Sequence, residues 1–177
     1  MSVKKKGILA FLAALLSGCA GAPKGVEPVS GFDLQRYLGV WHEVARLDHR
    51  FERGLTGVTA EYSMRPDGGV KVINRGYDPE KKEWKRAEGR AYFTGDKSVA
   101  ALKVSFFGPF YGGYNVIELA PDYSYALVAG PSFKYLWILA RTPSLPEATV
   151  AGLAARAGKL GFPAGELIFP GPAPAGE

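Results

Sequence analysis

The sequence predicts an all-β fold, eight antiparallel strands in a sandwich or an up-and-down barrel, with one C-terminal α-helix packed outside. Three observations carry this. From Gly39 onward, short apolar runs rich in Val, Tyr and Phe alternate with turn signals about every ten residues. The connections between the runs are short, which makes neighbours antiparallel. After Pro143-Ser144-Leu145-Pro146 the apolar spacing changes from a strand period to a helix period.

The elements follow in chain order. Lys4-Lys5-Lys6, the apolar run Gly7 to Leu16 and Ser17-Gly18-Cys19 make a leader over residues 1–18. Ten apolar residues reach only about 15 Å as a helix, half of a bilayer core, so the run reads as a signal peptide. Leu16-Ser17-Gly18-Cys19 resembles the lipobox of bacterial lipoproteins, which implies cleavage before Cys19 and acylation of it. Ala20, where inner-membrane retention is associated with Asp, implies the outer membrane. Residues 19–31, rich in Gly, Pro and Ala, read as a flexible tether. The folded body is expected over 32–170. Its strands are expected at about 40–47, 57–65, 69–77, 83–93, 98–107, 112–119, 123–129 and 134–141, with Gly108-Pro109-Phe110-Tyr111-Gly112-Gly113 as a turn. The helix is expected from Pro146 to Leu160, with Ser144 as N-cap and Gly161 as stop. Glu166 to Phe169 suits a short last strand, and 171–177 reads as a loose tail.

Composition narrows the function. The 177 residues carry 22 basic and 17 acidic side chains, but Lys4 to Lys6 fall in the leader. The remaining 19 basic residues nearly balance the acidic ones, so no nucleic-acid partner is expected. Cys19 is the single cysteine and cannot close an internal disulfide. No HExxH, GxSxG, Walker or GxGxxG motif occurs. His42 and His49 make a poor metal pair and read as surface residues. No cofactor, metal set or catalytic residue is assigned.

A signature is present instead. Gly39-Val40-Trp41 opens the first strand after Asp33-Leu34-Gln35-Arg36-Tyr37-Leu38, Asp122-Tyr123 forms a late turn, and Arg141 ends the last strand. In that order they resemble the three sequence signatures of the lipocalins. The stretches RYLGVWHEVARLDHRFERG, NRGYDPEKKEW, EGRAYFTG, ALKVSFFGPFYGGYNVIEL and YLWILARTP resemble the bacterial outer-membrane branch of that family. The resemblance covers about residues 32 to 169. It implies an eight-stranded up-and-down barrel that binds fatty acids, lysophospholipids or similar amphiphiles, held in the outer membrane through acylated Cys19. His42, where Tyr commonly follows the Trp, and Pro121 before Asp122 depart from the usual pattern.

In such a barrel successive turns alternate between the two ends. Gly39, Trp41, Asp122, Tyr123 and Arg141 then share one end, a closed floor where Arg141 can lie over the Trp41 ring. Phe51, Phe107, Phe110, Tyr111 and Phe133 share the other end, the mouth. Those rings either pack together or form an apolar gate or partner surface, a homodimer included. Strand alternation, with Trp41 facing in, gives the cup lining: Ala45, Ala60, Tyr62, Ala91, Phe93, Leu102, Val104, Phe106, Tyr114, Val116, Trp137 and Leu139. Glu43 falls inward by the same parity, as do Asn74 and Glu118, and Glu43 needs a base or backbone partner there. Two other function classes stay open, a lipid- or pigment-modifying enzyme and haem or pigment sequestration. The parity of His42 speaks against an axial ligand for haem.

Overall fold

The structure, a computed structural model, describes residues 21–174, so the leader and Cys19 lie outside the described residues. A short helix α1 (Leu34–Tyr37) leads into eight long strands: β1 (Gly39–Leu47), β2 (Thr56–Met64), β3 (Val70–Asp78), β4 (Glu83–Phe93), β5 (Ala101–Phe107), β6 (Phe110–Leu119), β7 (Tyr125–Ala129) and β8 (Leu136–Ala140). Each pairs antiparallel with the next, and β1 pairs with both β2 and β8, which closes the barrel. Helix α2 (Glu147–Lys159) follows, and β9 (Leu167–Ile168) adds to the far end of β1.

Strand alternation divides the apolar residues into two cores. Trp41, Tyr62, Val70, Val72, Ala91, Leu102, Val128 and Leu139 point into the barrel. Leu127, Leu136 and Ile138 point out and meet Leu153 and Ala157, four residues apart on one face of α2. The helix begins after Pro146 with no side-chain cap, so Ser144 is not its N-cap. Pro at the edge of the first turn supplies the fixed φ that helix entry needs, and the barrel wall supplies the stability.

Register shifts interrupt four of the strand pairings, and those on β1 and β6 reset the alternation at residues expected to face the cup. On β1, Glu43 pairs with Leu139 and Ala45 with Ile138, leaving Val44 as an extra residue. Ala45 therefore turns outward into the core beneath α2, not into the cup as simple parity requires. On β6 the same thing happens at Ile117, between Val116 and Glu118. Glu118 turns outward, and its Oε2 meets Arg156 Nε of α2 at 3.4 Å.

Three expected loops are more ordered than composition implied. In the segment 22–31, Val26 is buried against the outer core, and Val29 exchanges backbone hydrogen bonds of 2.9 Å with Val116 and Ala100. Valines among the Gly and Pro residues give the segment apolar area to bury, so it is not a free tether. In the tail, the Gly171 carbonyl accepts from Gly57 N at 2.9 Å. A Cβ on Gly57 would meet Ala173 at 2.7 Å, and its φ of +56° also favours glycine. The GPFYGG turn shrinks to Gly108-Pro109, because Phe107 pairs with Phe110 and β6 starts there.

At the floor, Arg141 Cζ lies 4.0 Å from the Trp41 ring centroid. Its guanidinium also donates to Val40 O at 3.0 Å and Arg36 O at 2.7 Å, tying α1 and β1 to the end of β8. Trp41 Nε1 donates to Tyr37 O at 2.8 Å. Gly39 has a φ of +94°, and a Cβ there would press within 3.4 Å of Arg141 Nη1. Asp122 Oδ1 caps its turn at Ser124 N, 3.0 Å away, and Tyr123 OH accepts from Asp33 N at 2.9 Å.

Trp41, fully buried, should cost about 3–5 kcal/mol as Trp41→Ala. Arg141→Ala should cost less, and the double variant less than the sum of the two. Urea titrations of all four proteins measure this, and strict additivity would show that the ring and the guanidinium do not support each other.

Candidate ligand cup

The barrel encloses a cavity of about 110 Å³. On a scale where about 10–15 Å³ of such space holds one water, it has room for several waters or part of an acyl chain. Of the residues expected to line it, Ala60, Tyr62, Ala91, Leu102 and Val104 do, and so do Phe106, Tyr114, Trp137 and Leu139. Phe93 does not. It packs edge-on against Phe32 with ring centroids 6.2 Å apart, in the core between cup and floor. Val116 is fully buried in that same core, and Ala45 lies outside the wall.

The lining also holds residues that simple alternation misses. Phe32, Leu34 and Tyr37 enter from the N-terminal segment and α1, which close the floor from below. Glu52 enters from the β1–β2 loop, which dips into the barrel. The dip is held by Arg46, which the bulge at Val44 turns to the inside, only 1% exposed. Arg46 pairs through Nη1 with Glu43 Oε1 and donates through Nη2 to the Glu52 carbonyl at 2.7 Å. Trp137 Nε1 donates to Glu52 Oε2 at 3.1 Å. His49 is buried rather than on the surface, its ring edge-on to Trp137 at 5.1 Å and its Nε2 3.0 Å from Glu52 Oε2. One signal pointed here, a lone Arg inside the apolar run Val44 to Leu47, three residues after Glu43.

The two cup carboxyls are pushed in opposite directions. Burial, then the neighbouring Glu52 carboxylate, pushes Glu43 up to about 8 against the pull of Arg46. Burial also pushes Glu52 up, but His49, Trp137 and Arg46 outweigh it and hold that carboxyl below its ordinary range. The protonated form is thus favoured at Glu43 and the charged form at Glu52, whose Oε2 faces His49 and Trp137. Deeper in, the Tyr114 hydroxyl bonds that of Tyr37 at 2.7 Å and that of Tyr62 at 2.8 Å. Burial raises all three phenols, so they remain protonated. Asn74 lines the same space, and its Oδ1 is buried with no partner among the described residues.

At the mouth, Phe51, Phe107 and Phe110 stand 65%, 79% and 78% exposed. Tyr111 is not part of that rim. It lies on the outer wall, where its hydroxyl accepts from Arg90 Nε at 3.0 Å. Phe133 packs against Phe162 beyond α2, ring centroids 5.1 Å apart. His42 pairs with Thr59 and Ala140 on the wall. Among the described residues no cluster of His, Cys, Asp and Glu could hold a metal ion.

Residues 32–172 match the lipocalin-like domain family. The chain is a lipocalin. Its relatives include the outer membrane lipoprotein Blc of Citrobacter freundii, 59% identical over 147 residues that cover 83% of each chain. The outer membrane lipoprotein Blc of Escherichia coli is 54% identical over 162 residues, covering 90% of this lipocalin and 92% of that chain. Insecticyanin from the tobacco hornworm Manduca sexta shares the fold, with a TM-score of 0.68 at 21% identity over 85% of this chain and 86% of that one.

The proton on Glu43 makes stability depend on pH. Its folded pKa lies above the ordinary 4.5, so its contribution is complete below about 4.5 and declines as pH rises towards about 8. Glu43→Gln keeps the neutral form at every pH. Its melting temperature relative to the native protein should therefore climb between those two values, as read by scanning calorimetry. Parallel pH profiles would show that Glu43 ionises normally in the fold.

Proposed function

We propose that this lipocalin is anchored in the outer membrane through acylated Cys19 and carries or stores single-chain amphiphiles, fatty acids and lysophospholipids among them. The observation that carries this is the cup: an enclosed space walled largely by Val70, Val72, Ala91, Leu102, Val104 and Leu139, beneath an exposed aromatic rim. The lipobox stretch Leu16 to Cys19 and the likeness to bacterial outer membrane lipoproteins support the anchor. Binding rather than turnover is favoured because the acidic groups of the cup are committed to Arg46, His49 and Trp137. The rim rings Phe51, Phe107 and Phe110 suit contact with the membrane from which an amphiphile is taken, or with the rim of a second copy.

Filling the cup tests the binding. Ala91→Trp or Val104→Trp keeps the lining apolar but removes its space. A fluorescent fatty acid should bind at least tenfold more weakly, with the far-ultraviolet circular dichroism of the barrel retained. An unchanged affinity would place the ligand elsewhere.

The anchor is tested separately. Cys19→Ser removes the acyl acceptor and should leave a precursor that carbonate strips from outer-membrane fractions. A variant that stays with the membrane after that wash would refute acylation of Cys19 as the means of attachment.

A further inference from the structure

Three phenols close the inner end of the cup. Tyr37 stands on α1, its ring centroid 4.6 Å from that of Trp41 at the floor. Tyr62 stands on β2 and Tyr114 on β6, and all three side chains line the cavity. The rings are neighbours, with Tyr37 5.6 Å from Tyr62 and Tyr62 5.9 Å from Tyr114. Val70, Val72, Ala91 and Leu102 make the lining beside them apolar.

The protons of this cluster do not balance. Each phenol carries one, and two hydrogen bonds join the three hydroxyls, both through Tyr114. Three protons and two bonds leave one proton over. The chain of bonds runs equally well in either direction, so Tyr37 or Tyr62 presents the spare proton, or Tyr114 when both neighbours donate to it. Among the described residues none accepts it, and the orphaned Asn74 Oδ1 is not its partner. Tyr37 and Tyr62 are only 2% and 7% exposed, so bulk water does not answer it either. A buried donor left in this way is costly.

The surroundings define what would complete the chain. A water or an alcohol takes the spare proton but brings at least one of its own, so the surplus at this end of the cup persists. Only a pure acceptor removes it. Among the described residues no Lys, Arg or His lines the cavity. Burial holds the three phenols protonated, and for the same reason it disfavours an anion beside them. A carbonyl oxygen has lone pairs to offer, no proton to place and no charge to desolvate.

We propose that the tyrosine triad is a hydrogen-bond-donor subsite for a carbonyl oxygen on the leading end of the ligand, as in a ketone, an aldehyde or an ester. This rests on the reading of the barrel as an amphiphile-binding cup. A plain alkyl chain that enters tail-first leaves the proton unanswered, so the cup distinguishes chains by what they carry at the end that goes in first.

Removing one outer hydroxyl still leaves one proton over, so the informative variant is the triple one, Tyr37→Phe with Tyr62→Phe and Tyr114→Phe. It keeps the rings and takes away the whole chain of hydroxyls. The parent is the full-length chain carrying Cys19→Ser, stripped of bound lipid. Both proteins are titrated with methyl nonyl ketone labelled with the heavy carbon isotope at its carbonyl. In the parent, isotope-edited infrared spectra should place the bound carbonyl stretch below its frequency in hexane, the mark of a hydrogen bond. In the triple variant the stretch should return to the hexane value, and the ketone should bind about threefold more weakly or worse. A fluorescent fatty acid, entering tail-first, should bind the variant at least as tightly as the parent. An unshifted stretch in the parent refutes the proposal and leaves the cup an amphiphile site. A shift that survives in the triple variant also refutes it, because another group then donates. Equal losses for ketone and fatty acid would show that the hydroxyls shape the cup and do not read an oxygen, and the proposal fails. If neither probe binds the parent, the amphiphile reading falls and the subsite with it.

Discussion

A guanidinium buried to 1% dictates much of what surrounds it. Arg46 cannot shed its charge, and a charge taken out of water needs partners at close range. Here they come from both sides of one strand irregularity. Under unbroken alternation Glu43 and Arg46, three residues apart, would face opposite sides of the wall. Because the bulge at Val44 interrupts the alternation, they meet inside. The second Nη reaches the Glu52 carbonyl and draws the β1–β2 loop down into the barrel. That loop brings Glu52 to Trp137 and buries His49 beside it. One inserted residue thus sets the loop, the polar wall of the cup and the protonation of Glu43.

The floor is built on the same logic with a cheaper charge. Arg141 is only half-buried, so it keeps part of its hydration while it contacts the Trp41 ring and two carbonyls, although burial still pulls its pKa down. It fastens α1, β1 and β8 together, and Tyr37, thus placed, forms the bottom of the cup.

Strand order, the external helix and most of the lining were legible because a period of two is written directly into the sequence, as at Ala60 and Tyr62 or Leu102, Val104 and Phe106. Parity is only as good as its continuity, however. Ala45 and Glu118 were misplaced because a bulge costs little local sequence signal; Val44 and Ile117 look like any other strand residue. Glu52 was invisible for another reason. Its position depends on Arg46, a contact across a loop that no periodicity records. Val26, Val29 and Ala173 were hidden by composition, since Gly- and Pro-rich chain packs well when a few apolar side chains find a wall.

The packed segment before β1 bears on how the protein sits in space. Only three residue steps separate Cys19 from Ala22, which already lies against the outer core, and they span at most about 11 Å. That is well under the roughly 30 Å length of a nine-residue strand such as β1. Under the anchor proposed at Cys19, the barrel is therefore hinged rather than leashed. It cannot somersault above the bilayer, and one flank stays turned towards the lipid. Under that anchor the barrel can rock about a fixed pivot, with the rim swinging through an arc that the short hinge sets in advance.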